Sequence, residues 1–529
     1  MKLARALSSL ARLPALPPLR PLRPLLPLLP LLPLAVALNG CINVGPNYAL
    51  PKQALVNAPL ANGALEGADP TLTSTRNMPT VWWKLYDDPV LNGLVDEALK
   101  SNTDLRVAAA NLARSREALG VAQAQGGFSG SASAVVERAQ ESAEQYLLTE
   151  KLPVVNEADL GINVSYEIDL FGKLRRGVEA ASADTEAVEA AGDLARITVV
   201  ADVVRSYVEQ CSAAEELRIA QQSLTLQKER VDVSRRLRDA GRGNQTEVTR
   251  GQTQVENLAA DIPRYTARRK IAQYQLAALL ARAPSDLPPA VLACDRLPQI
   301  SQPIPIGDGA ALLRRRPDVH EAERQLAAST ARIGVATAAL YPSVSIGAST
   351  GFTGVLEDIG TSPTARWAFG PLISWDFPIN GARQRVREAE ASSQAALAKF
   401  DGVVLTALRE TETNLATYAS DYERAESLRA ALKSAAQSAD ETHRLYLSGR
   451  ESFISDLDAT RTLTAAKSQL AAAEGQVAAD QVNLFLSLGG GWEVGGQSTP
   501  GETPPQLKAT PVAAKAAAAT PATATSKTP

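Results

Sequence analysis

The sequence predicts a mainly α-helical chain that carries four β-strands and is built by internal duplication. Three observations lead there. Apolar residues keep three- and four-residue spacing over stretches far longer than an ordinary globular helix. Four shorter stretches alternate apolar and polar at every second residue. The order of these pieces in the first half then recurs in the second.

Composition narrows the classes of function. The 529 residues hold 54 Lys and Arg against 57 Asp and Glu, a net charge of -3 that gives no reason to expect nucleic acid. Aromatics make up only 5%, as suits long, closely packed, alanine-rich helices. Cys41, Cys211 and Cys294 lie far apart without CxxC or CxxH spacing, so neither a metal site nor a disulfide framework is expected. His320 and His443, the only histidines, read as solvated helix residues on separate segments. A Ser/His/Asp or HExxH centre is therefore unsupported, and no enzyme is expected. No run of about 20 apolar residues follows Cys41, which argues against a transmembrane helix. Membrane-spanning strands would leave a weaker trace.

Residues 1–40 read as a targeting segment: Lys2, Arg5, Arg12, Arg20 and Arg23 precede an apolar stretch from Leu25 to Leu38, then Asn39-Gly40-Cys41. This resembles a bacterial lipoprotein signal, which implies acylation of Cys41. The prolines at 24, 27, 30 and 33 and the polar Asn39 depart from that pattern. Ile42, in a position where no aspartate follows the cysteine, resembles outer-membrane sorting. Residues 41–80 are an aperiodic Pro-, Asn-, Gly- and Thr-rich arm.

The first repeat is expected over 81–283. Trp82-Trp83 and Asp87-Asp88-Pro89 lead into a helix marked by Leu91, Leu94, Val95 and Ala98, and a second helix runs from about Thr103 to Gln125. Strands follow at about 128–140 and 158–171. The second is the clearer, with Leu160, Ile162, Val164, Tyr166, Ile168 and Leu170 alternating with Gly161, Asn163, Ser165, Glu167 and Asp169. Helical spacing then continues from Gly172 to about Asp239 and from about Thr246 to Ala281; the first of these would be on the order of 100 Å long.

A proline-punctuated linker, 284–310, separates this from a second repeat over 311–492. Pro317 and Asp318 suit the first turn of a helix. Strands are expected at about 343–353 and 366–377, and long helices from about Gly381 to Ser448 and Phe453 to Leu488. Asp318–Ala336 aligns without gaps on Asp104–Ala122, SYEIDLFG matches SWDFPING, and RLRDAGR matches RLYLSGR. The two helical hairpins thus have matching tips, with Gly241 and Gly449 as reversal points tolerant of positive φ. Residues 493–529 are a Pro-, Ala- and Thr-rich tail, expected to be disordered.

Four strands cannot close a membrane barrel, since about eight is the observed minimum, and an open edge in lipid leaves backbone groups unpaired. If the strands span a bilayer the chain must oligomerise, and a trimer would bring about twelve strands and twelve helical columns around one axis. Periodicity alone is equally compatible with a soluble coiled coil and a soluble sandwich.

The segments WWKLYDDPVLNGLVDEALKSNTDLRVAAANLARSR, SYEIDLFGKLRRGVEAA, LRRRPDVHEAERQLAASTARIGVATAALYPSVS and LSLGGGW resemble, in this order, the TolC-like outer membrane factors. The nearest likeness is to the NodT-type lipoprotein branch that serves resistance-nodulation-division efflux pumps. The resemblance implies a homotrimeric tunnel: a twelve-stranded barrel in the outer membrane, a twelve-helix barrel through the periplasm, and an equatorial belt that includes the linker. It implies a passive exit duct with no cofactor beyond the lipid on Cys41, docked to a periplasmic adaptor and driven by an inner-membrane pump. Alternatives are a duct for one-step protein secretion and a periplasmic coiled-coil scaffold that makes no hole.

The resemblance also assigns an acidic pore ring to Asp458, with Arg461 one turn along; an exposed helix carboxylate paired with Arg461 across three residues is the competing reading. Ser455 stands where some relatives place a second aspartate. Asp456, about 200° around the helix from Asp458, is expected to face another helix or the outside. Arg238, Gly241, Arg242, Gly449, Arg450 and Glu451 resemble the tips at which the adaptor docks, and solvated turn charges are the competing reading. Tyr446 resembles an aromatic that packs between neighbouring helices in some relatives, and plain core packing is the competing reading.

Overall fold

The computed structural model describes residues 43–490 apart from Asp295 and Ser301. Cys41, the targeting segment, Trp492 and the 493–529 tail lie outside the described residues. The helices are α1 (Pro89–Ser101), α2 (Thr103–Ala124), α3 (Lys173–Asp239), α4 (Gln245–Leu279), α5 (Pro289–Leu292), α6 (Gly309–Arg315), α7 (Pro317–Ala338), α8 (Asn380–Leu447) and α9 (Phe453–Ser487). The strands are β1 (Thr73–Ser74), β2 (Phe128–Ala139), β3 (Val155–Ile168), β4 (Ile304–Pro305), β5 (Ser343–Val355) and β6 (Ala365–Ser374).

Helices α3 and α8, 67 and 68 residues long, each extend about 100 Å. They are the two continuous columns of a wall four columns wide. On one side of α3, α2 occupies the upper half and α4 the lower; between α3 and α8, α7 occupies the upper half and α9 the lower. Each shorter pair meets end to end through side chains that satisfy the last carbonyls of the lower helix. Ser101 Oγ donates to Leu280 O at 3.0 Å and Asn102 Nδ2 to Leu279 O at 2.9 Å. Arg315 Nε donates to Leu488 O at 2.8 Å and Arg316 Nη1 to Ser487 O at 2.9 Å. The duplication is thus visible as two matching joints.

The largest apolar core lies at this equator. Trp82 stacks on Phe485 with ring centroids 4.6 Å apart, and Leu91, Leu94, Val200, Val204 and Leu276 fill the space around them. Asp88 caps α1 by accepting from Val90 N and Leu91 N, and its other oxygen accepts from Tyr207 at 2.8 Å. The parallel pair β1–β4 joins the arm to the linker. Contrary to the expectation of no disulfide, Cys211 of α3 is bonded to Cys294, with Cα atoms 5.3 Å apart. The pairing is made by chain reversal through α4 across 83 residues, which linear spacing does not register.

Strands β2, β3, β5 and β6 form one antiparallel sheet in that order. Their register aligns the oily positions of all four strands on one face: Ala134 opposite Leu160, Leu160 opposite Phe352, Val164 opposite Ala348, and Ala348 opposite Phe369. Leu160, Ile162, Val164, Trp367 and Phe369 are exposed on the single chain. The opposite face carries Ser129, Ser165 and Ser345, and Arg366 donates to Asp159 at 2.8 Å. β6 stops at Ser374, short of the expected 377, because its partner β5 begins at Ser343 directly opposite and nothing remains to pair with. Among the described residues no helix is long and apolar enough to cross a membrane, so this sheet is the element with the right surface.

Candidate functional site

The end of the wall farthest from the sheet is formed by two reversals of the same construction. Gly241 and Gly449 have φ of +70° and +72°, a region that costs an L side chain strain. In the first, Arg242 N donates to Leu237 O at 2.8 Å and Gly241 N to Arg238 O at 2.9 Å; in the second, Arg450 N donates to Leu445 O at 2.9 Å and Gly449 N to Tyr446 O at 3.0 Å. These paired bonds close each helix with its last carbonyls satisfied. The next helices start on side-chain caps, Asn244 accepting from Glu247 N and Ser452 from Ser455 N.

The two carboxylates of the second tip have opposite environments. Asp458 projects to solvent, its side chain 65% exposed, with Arg461 Nη1 at 3.7 Å; Arg461 Nε itself donates to Gln254 of α4 at 3.0 Å. An exposed pair at this distance contributes roughly 0–1 kcal/mol, and the carboxylate stays at the surface. Asp456, one helical half-turn away, is buried: of the two orientations expected, it takes the one facing another helix. Its carboxylate accepts from Arg230 Nη1 of α3 at 3.1 and 3.2 Å and lies 3.1 Å from His443 Nδ1 of α8. Arg230 also donates to Thr460. This node ties α3, α8 and α9 together just above the tips. His443 is therefore no freely solvated histidine: its ring is part-buried against a carboxylate from the neighbouring helix.

Tyr446 packs across its own reversal, edge-on to Phe453 at 6.1 Å. Its hydroxyl is pushed up by burial, with Glu247 and Asp456 adding to the effect and a hydrogen bond to Ser234 opposing it. Of the other tip residues, Arg238 donates to Gln245 at 2.7 Å and to Asp239 at 2.9 Å, while Arg242, Arg450 and Glu451 stand exposed at the reversals. The structure thus gathers the predicted tip residues at one end and separates Asp458, facing solvent, from Asp456, facing inward. Arg230 and His443 had no local signal, since their partner is 226 and 13 residues away.

An oily-faced sheet at one end, a wall of helices about 100 Å tall and a matched pair of tips at the other define one wall segment of an outer-membrane channel. The chain belongs to the outer membrane efflux protein family, which matches residues 94–282 and 310–490. Among its relatives, nodulation protein T of Rhizobium leguminosarum bv. trifolii is 28% identical over 87% of this chain and 96% of its own length. The probable outer membrane lipoprotein SilC of Salmonella typhimurium is 30% identical over 86% and 96%. The toluene efflux pump outer membrane protein TtgC of Pseudomonas putida is 29% identical over 87% and 94%. Among solved structures, the outer-membrane channel OprN is 35% identical with a TM-score of 0.78, covering 85% of this chain and 99% of OprN. The Neisseria gonorrhoeae MtrE outer membrane channel in its open state is 27% identical with a TM-score of 0.73, covering 85% and 98%. The fold is the TolC-like one, and the chain is an outer membrane component of an efflux system, related to channels rather than to enzymes.

Proposed function

We propose that three copies of this chain close into a lipid-anchored exit duct for small molecules, gated at its periplasmic end and engaged there by a periplasmic adaptor and a resistance-nodulation-division pump. The single observation that carries this reading is the pair of open edges on the chain. β2 and β6 each have one partner in the four-stranded sheet, and α2, with no buried residue, lies along α3 on one side, whereas its counterpart α7 sits between α3 and α8. Backbone groups on a strand edge in lipid must find partners. Pairing β6 of one copy with β2 of the next satisfies both edges, and three copies supply the twelve strands that a stable barrel can use.

Lipid attachment at Cys41 is supported by how the arm is held. Val44 N donates to Phe171 O at 3.2 Å, and the buried Arg176 donates to Val44 O, Gly45 O and, at 2.7 Å, Asn47 Oδ1. The arm is thereby fixed, from Val44 to Asn47, where the sheet gives way to α3, the level at which a lipid-anchored chain would leave the bilayer. The same arm continues down the wall, where Leu55 N donates to Asp401 and Glu66 N and Gly67 N donate to Glu412, each at 2.7 to 2.8 Å. In the trimer Asp458 would repeat three times around the axis, a carboxylate ring that draws cations and impedes anions. Arg238, Arg242, Arg450 and Glu451 at the exposed reversals, with Gly241 and Gly449 shaping them, are the adaptor-facing surface.

Relatives named for toluene and for antibiotic efflux support small apolar or amphipathic cargo. Affinity purification of the full chain from cells tests the assembly. The expected result is a trimer carrying palmitate, lost in Cys41→Ser, together with an adaptor and an inner-membrane pump. A monomer, or a chain recovered with a protein-secretion transporter instead, would overturn it.

A further inference from the structure

The helix end of the membrane sheet carries a band of aromatic and basic side chains that the duct itself does not use. There β3 and β6 deliver the chain into α3 and α8. Phe128 leans on Tyr166 at 5.1 Å, Phe171 stacks on Tyr341 at 4.5 Å, and Trp375 meets Phe377 at 4.5 Å. Phe128 and Phe377 are 79% and 70% exposed on the chain. Immediately beyond the rings come Lys173, Arg383, Arg385 and Arg387, all exposed and none with an ion-pair partner among the described residues. Arg175, beside them, is paired with Asp169 at 3.3 Å.

The charge is strongly biased and the bias is oriented. Residues 169–176 and 374–387 hold six basic side chains against Asp169 and Asp376; Arg176 is buried and paired with Glu179, and Glu388 and Glu390 follow on α8, so the exposed excess is carried by Lys173, Arg383, Arg385 and Arg387. At the far end of the sheet, residues 137–157 and 355–366 hold seven acidic against three basic. Neither α3 nor α8 has an acidic residue in its first turn to answer its cations. The arm reaches the same level, Val44 being bonded to Phe171. Amphipathic rings settle at the boundary between hydrocarbon and headgroups, and guanidinium groups next to that boundary meet phosphate in a geometry they bind bidentately.

We propose that this band is a binding surface for anionic phospholipid headgroups in the periplasm-facing leaflet, with Arg383, Arg385, Arg387 and Lys173 contacting phosphate. The proposal rests on the sheet spanning the outer membrane. Four unpaired cations on each chain and a ring of apolar anchors fit a lipid surface of negative charge, continuous with the membrane-facing strands. Because Arg383 and Arg387 share one flank of α8 and Arg385 the other, the headgroups would be held on both flanks.

The test is native mass spectrometry of the full-length detergent-purified trimer titrated with phosphatidylglycerol and, separately, with phosphatidylcholine. The wild-type protein is expected to retain phosphatidylglycerol preferentially. R383Q/R385Q/R387Q should lower that preference at least ~10-fold with the trimer intact, and R383K/R385K/R387K, which keeps the charge without the bidentate contact, should lose less of it than the glutamine variant. If the triple glutamine variant does not assemble, K173Q/R383Q gives the same reading with a smaller loss. Equal retention of both lipids by the wild type, or a preference unmoved by the variants, overturns the proposal. So does a trimer that falls apart with its lipid preference intact, which would place these arginines between subunits. Channel conductance of the same variants in planar bilayers reports on the duct reading separately.

Discussion

Asp456 and Asp458 are two residues apart and do different things. The half-turn between them sends one into the packing of α3, α8 and α9 and the other to solvent. The helical angle separates the two residues, while the choice of Asp458 for the pore came from the family resemblance. The partners of Asp456 were not legible in the sequence, because Arg230 and His443 reach it only after the chain has built both hairpins. Asp458→Ala is expected to reduce cation preference and block by multivalent cations in planar bilayers, and unchanged selectivity would contradict the ring. Arg230→Gln leaves a buried carboxylate short of its cation and should lower stability by roughly 3 kcal/mol, read as a reduced unfolding midpoint and faster hydrogen exchange over 445–463. Nearer the equator, burial pushes the Asp480 carboxyl up to about 6 from 3.8, with Asp421 also raising it and a hydrogen bond from Gln476 opposing. A raised folded-state value means that the stabilising contribution is complete below about pH 4 and is lost as pH rises through 6. Asp480→Asn should therefore stabilise the protein by roughly 1–2 kcal/mol at pH 7.5 and have almost no effect at pH 4, which thermal unfolding at the two pH values would show.

Among elements, the strands and long helices were the most readable, because a period of two and a period of 3.6 are set by backbone geometry and persist over many residues. The ends were less so: β6 closes at Ser374 because β5 offers no partner beyond Ser343, a tertiary fact. The Cys211–Cys294 bond was missed for the same reason, since it joins α3 to a linker that returns across it. The tip glycines were correctly placed by the matching RLRDAGR and RLYLSGR segments, and their positive φ gives the match its cause. Gly449→Ala should cost about 1 kcal/mol through the left-handed backbone at that point, since nothing lies within 4 Å of an added Cβ there. A stability loss far above that in urea unfolding would mean the tip is packed more tightly than its open surroundings indicate.

At the scale of the molecule, the chain is a wall rather than a globule. Its core is confined to the equator and to small clusters along the helices, and its sheet shows an oily face to the outside. Such a chain is completed by copies of itself. The four strands and four columns announced this in the sequence, whereas the end-to-end joints at Asn102 and Arg316 that make two short helices act as one column became visible only in the fold. Single-channel recording decides whether the trimer is a closable transmembrane duct. Purified trimer in planar bilayers should show a small, discrete, cation-preferring conductance. Combining Arg230→Gln with Asp456→Asn, which dissolves the node above the tips, should enlarge it several-fold. Absence of any discrete conductance from both proteins would contradict a duct.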